Sequence, residues 1–200
     1  MLDHPFLHAT AAIRKSLEDS MLECQRPEEG LAFDLLLGDV EWETSYALPG
    51  EGALPRIKCD LSFGWSTWSQ TAFRSWTIGE ELDEMPDIIV SLDLHVAGLA
   101  TAPDVPAVLR ALPPSGPALG SFPLDRKNPS MEQSFEKSGR SRFALDVAYE
   151  GLYEVGERVL EHIESLYNDM APLGGWVAST LVKLNDLGFD FLPQEAEEID

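Results

Sequence analysis

Three stretches of the chain alternate strictly between apolar and polar residues. In "RIKCDLSF", Ile57, Cys59, Leu61 and Phe63 share one side while Lys58, Asp60 and Ser62 share the other. In "PDIIVSLDLHVAG", Val90, Leu92, Leu94 and Val96 oppose Ser91, Asp93 and His95. In "RFALDVAYE", Phe143, Leu145, Val147 and Tyr149 oppose Arg142, Ala144, Asp146, Ala148 and Glu150. A period of two marks a strand with one buried face, and three such strands predict an antiparallel sheet. Val40 to Tyr46 alternates in the same way, whereas Leu31 to Leu37 is an apolar run that fits either a helical turn or a buried strand. "LPGEGALP" reads as a turn.

Helical spacing appears at both ends. From about Pro5 to Cys24, Phe6, Ile13, Leu17 and Met21 form a stripe with Ala9 beside it, and Arg14, Lys15, Glu18 and Asp19 take the other faces. Pro5 suits a first helical position, and Pro27 ends the segment. Near the C-terminus, Leu152, Val155, Val159, Ile163, Leu166 and Met170 recur at intervals of three and four. A second helix is expected from near Pro172 to Gly188, and a short one from Val105 to Leu112. An apolar sheet face and apolar helix stripes cover each other. The predicted fold is therefore α+β, with one sheet face covered by an N-terminal helix and two C-terminal helices. It is read as a single domain over residues 1–192, with a long flexible loop at about 113–141 and an acidic tail at 193–200.

Two hundred residues suffice for a buried core without disulfides or metals. Charge changes the picture. Thirty-five acidic residues against fourteen Lys and Arg give a formal net charge of −21. That argues against nucleic acid, whose phosphates need a basic footprint, and against anionic membrane. It favours a basic partner. No stretch approaches the ~20 apolar residues of a membrane span. Cys24 and Cys59 form no CxxC, and no secretory signal is read at the start, so a cytoplasmic protein with structural thiols is expected.

Candidate chemistry is sparse. "FGWSTWSQTAFRSW" holds Trp65, Trp68 and Trp76 around Arg74. Seven Ser or Thr residues from Ser62 to Thr77, with the aromatics, tilt this stretch toward strand. Its roles are core, a partner or oligomer interface, or a ligand pocket, and Trp with Arg at a surface suits a binding hot spot. Ser91, Asp93 and His95 do not make a triad, because alternate residues on a strand stand ~6.5–7 Å apart. Asp93 and His95, with Asp60, Lys58 and Asp146 from neighbouring strands, suit a small polar pocket. His4 and His8 lack further ligands for a metal, and His162 reads as exposed. No phosphate loop, HExxH or EF-hand is present, so no cofactor is expected.

Residues 113–142 carry five bases (Arg126, Lys127, Lys137, Arg140, Arg142) against three acids, a local excess of positive charge suited to a lid. Three functional expectations follow. The first is a non-enzymatic binding protein that masks or chaperones a more basic protein. The second is a small-molecule site or enzyme on the polar sheet face, lined by Arg74, Trp76, Asp93 and His95 under the 113–142 loop. The third is a homo-oligomer joined through the aromatic stretch.

Overall fold

The structure is a computed structural model, and it describes residues 4–20, 24, 29–33, 38–49, 55–120, 122–135 and 139–193. In chain order the elements are α1 (His4–Ser20), β1 (Glu29–Phe33), β2 (Val40–Ala47), β3 (Ile57–Trp65), α2 (Thr67–Thr77), β4 (Asp87–Leu99) and α3 (Val105–Ala111). They continue with β5 (Ser115–Leu119), β6 (Phe122–Arg126), β7 (Ser130–Phe135), β8 (Ser141–Glu154), α4 (Glu157–Glu161) and α5 (Ser165–Asn185). The strands form one antiparallel sheet in the order β1-β2-β3-β4-β8-β6-β5, and β7 pairs with the N-terminal half of β8 beyond the end of β6. α1 packs on α5, and α5 packs on β3 and β5, so the fold is α+β with terminal helices on one sheet face.

The alternating residues do what their spacing demands. Ile57, Cys59, Leu61 and Phe63 are buried, as are Val90, Leu92, Leu94 and Val96, and Leu145, Val147 and Tyr149. They meet Ala9, Ile13 and Leu17 of α1 and the Leu166, Met170, Leu173, Val177, Leu181 stripe of α5 in one core. Trp42 stacks on Phe63 across the β2–β3 pair, with ring centroids 5.4 Å apart. Phe6 and Met21 lie outside the described side chains, as do residues 34–37 and the turn at 50–54.

The alternation in β4 breaks at Gly98, whose φ of 74° lies in the left-handed region. Between Val96 and Leu99 the register against β8 slips by one residue, which makes a β-bulge. The extra residue returns Leu99 to the buried face.

Three expectations fail here. The aromatic stretch is not a strand beyond Trp65: Ser66 accepts a hydrogen bond from the Ser69 amide at 3.1 Å, and α2 follows. A serine cap satisfies a helix's first free amides, and that local chemistry outweighs the β propensity of the aromatics. Residues 113–141 are not a long loop, because β5, β6 and β7 occupy most of them. Proline hides these strands in the sequence, yet Pro117 lies on the edge strand β5 and Pro123 on the short β6, while Leu119 and Leu124 are buried.

The C-terminal helix boundaries also move. Leu152 belongs to β8, α4 is short, and α5 begins at Ser165 and runs through Pro172. Apolar residues at intervals of three and four thus cross a strand end and two helices. Burial of the long α5 stripe outweighs the ~3 kcal/mol that an interior proline costs. The Ser16 hydroxyl of α1 donates to the Tyr167 carbonyl at 2.7 Å, which fixes α1 against this part of α5.

Candidate functional site: the polar sheet face

The second face of the sheet carries the polar halves of the same alternations. Cross-strand pairing sets Ser45, Asp60, Asp93 and Ala148 in one row, and Lys58, His95, Asp146 and Ser130 in the next. Paired residues on one face stand ~4.5–5.5 Å apart at Cβ, so side chains of adjacent rows can join. They do. His95 Nδ1 lies 2.6 Å from Asp146 Oδ1, and Nε2 lies 3.0 Å from Asp60 Oδ2. Lys58 Nζ reaches Asp60 Oδ2 at 2.8 Å, and the Ser45 hydroxyl donates to Asp60 Oδ1. The Ser130 hydroxyl donates to Asp146 Oδ2 at 3.3 Å. A chain of polar contacts therefore crosses five strands.

This arrangement favours the charged imidazole. Both ring nitrogens lie within hydrogen-bond distance of carboxylates, and a carboxylate only accepts, so both contacts are hydrogen bonds when His95 is protonated. The hydrogen bond to Asp60 raises the His95 pKa, burial opposes it, and the bond to Asp146 raises it further. Burial works against ionisation of Asp60, but hydrogen bonds from His95, Lys58 and Ser45 outweigh it and hold its carboxyl well below the usual range. Asp93 moves the other way: burial raises its pKa, and of the nearby charges His95 opposes the shift while Asp60, Glu150 and Asp146 reinforce it.

The chemistry available is limited by the same geometry. A general base needs a free acceptor nitrogen, and in its protonated state His95 offers none. The Ser45 hydroxyl is turned to Asp60. No group of His, Cys, Asp and Glu suited to hold a metal ion occurs among the described residues.

The sequence-selected residues fall in two places. Asp93 and His95 join Asp60, Lys58 and Asp146 as the alternation suggests. The aromatic stretch is elsewhere: Trp65 lies near one end of β3 and Lys58, the partner of His95, near the other, seven residues and ~23 Å away. Trp65 is buried, Trp76 packs against the core edge, Arg74 is exposed in the last turn of α2, and Trp68 is 47% exposed. Arg74 and Trp76 therefore do not line one site with Asp93 and His95. Nor does the 113–142 segment roof that cluster, since its strands extend the sheet sideways along β8. Ser45 and Ser130 are missed by sequence reasoning, because only the strand pairing brings them to the cluster.

The wider face is strongly acidic. Glu41, Glu43, Asp125, Glu132 and Glu150 share it with Asp60, Asp93 and Asp146, against Lys58, His95, Lys127 and Arg142. Lys127 is paired with Glu150 at 3.0 Å. At the end of the face remote from His95, Ile89 and Leu152 pair across β4 and β8 and stay 46% and 50% exposed. No helix of the described residues is long and apolar enough to cross a membrane. No family model, no curated protein and no solved structure matches this chain.

Proposed function

We propose that this protein binds a basic segment of another protein across the polar face of its sheet, masking or chaperoning that partner. The observation that carries the reading is the exposed Ile89–Leu152 pair within a face whose charges are mostly carboxylates. An apolar anchor ringed by charge is how protein interfaces divide their work. The anchor supplies the contact that holds, and the surrounding charge steers association and selects the partner. The net charge of −21 extends that steering beyond the face itself. The partner segment is expected to present an aliphatic side chain flanked by Lys or Arg.

The test is capture of partners from the protein's own cell lysate at low salt and again at about 0.5 M salt, where charges beyond a few ångströms are screened. A basic protein retained at low salt and released at high salt supports the reading. With that partner purified, E43K/E150K is expected to slow association, and I89S/L152S to speed dissociation. No basic protein retained, or a complex indifferent to both double variants, overturns it.

A further inference from the structure

We infer that the free edge of β7 joins a second copy of this chain, making an antiparallel β7–β7 seam between two sheets. All six residues of β7 are exposed, and among the described residues its outer edge pairs with no strand. An unpaired edge is a template for another strand, and proteins normally blunt it with proline, a bulge or charge. β5 at the neighbouring edge has both Pro117 and an irregular register. β7, "SMEQSF", has no proline and a single charge, Glu132, and it exposes two large apolar side chains, Met131 at 51% and Phe135 at 70%. Both point to the helix side of the sheet, since Met131 pairs with the buried Leu145.

The occupant follows from the strand's own sequence. A two-fold axis perpendicular to the sheet pairs residues of like parity, so that each side chain meets one on the same face. Centring the axis on Glu132 sets that carboxylate against its own copy. Centring it on Ser134 leaves only Gln133 to Phe135 of β7 paired, a short overlap. Centring it on Gln133 gives the longest overlap with no like-charge pair. Met131 then faces Phe135 in both directions, a sulfur–aromatic contact. On the other face Glu132 meets Ser134, an uncharged polar partner. The strand is self-complementary in one register, which is what an isologous dimer requires. In that register the two acidic faces lie on the same side and become one continuous surface.

The mass of the full chain in solution, followed by sedimentation over a wide dilution series, tests this. A species of twice 22.1 kDa that dissociates on dilution is expected. M131K/F135K changes only exposed side chains, so it is expected to keep the far-UV spectrum and thermal midpoint while shifting the mass to the monomer. In a Cys24→Ser background, Q133C is expected to oxidise to a linked dimer, and E132C to link far less. A monomer at every concentration overturns the proposal. So does a dimer that survives M131K/F135K and fails to link through position 133.

Discussion

His95 is held by two carboxylates on different strands, and this couples a single side chain to the pH dependence of the fold. Its folded pKa is raised, so its stabilising effect is fully present below the unfolded value of about 6.5 and is lost as pH rises through the folded value. Asp60 has the opposite sign. Its folded pKa is lowered, so its contribution is present above about 3.9 and is lost as pH falls through the folded value. The two together stabilise most in the mildly acidic window between them. In H95Q the thermal midpoint is expected to fall relative to wild type at pH 5–6, with the gap closing as pH rises past the His95 titration. Its size should be modest, below about 1 kcal/mol for each partly exposed ion pair. An equal deficit at all pH values would mean that packing, not charge, holds the imidazole.

Asp93 makes the converse case. Burial and three neighbouring carboxylates disfavour its anion, so its folded pKa is raised and its charge costs stability at neutral pH. D93N is expected to raise the midpoint at pH 7. The gain should vanish as pH falls toward 3, where Asp93 is protonated in both states. At this scale the sequence was informative: the strict alternation set Asp60, Asp93, His95 and Asp146 on one face. It was silent on which carboxylate meets which nitrogen, because that is decided by strand register, and one sequence does not contain it.

Among the elements, β3, β4 and β8 were legible because half-burial leaves a period of two that little else produces. The segments that misled share a different cause. In α2 a capping serine decides the element while the aromatics suggest another. In β5 and β6, proline and glycine stand at positions where the sheet tolerates them. Gly151 shows how specific that tolerance is. It lies in β8 opposite Leu124 of β6, and a Cβ at 151 would come within 2.8 Å of Leu124 Cδ2. Gly116 flanks the same leucine from β5, where a Cβ would sit 3.1 Å from Leu124 Cβ. Leu124 is thus slotted between two glycines and buried. G151A is expected to destabilise by about 1–3 kcal/mol through overpacking. If the slot is the reason, G151A/L124A should lose clearly less than the sum of the two single variants. Additive losses would place the cost of G151A in the backbone of β8 instead.

For the whole molecule, the dominant fact is an excess of twenty-one negative charges on a chain of two hundred residues. Ion pairs such as Lys58–Asp60, Lys127–Glu150 and Arg158–Asp169 are partly or largely solvent-facing. Self-repulsion among the remaining carboxylates is expected to exceed what those pairs contribute. Added salt screens both, with a Debye length falling from about 30 Å at 0.01 M to about 10 Å at 0.1 M. The thermal midpoint is therefore expected to rise with sodium chloride, with most of the gain below about 0.15 M, where the Debye length is already near 8 Å. Melting followed by circular dichroism over a salt series at fixed pH checks this. A midpoint that falls with salt would mean that local pairs outweigh the global field. The sign bears directly on the proposed complex with a basic protein. Salt should loosen that complex while it stabilises the free fold, so release at high salt, with a raised midpoint in the same buffer, reports screening of the interface and not unfolding.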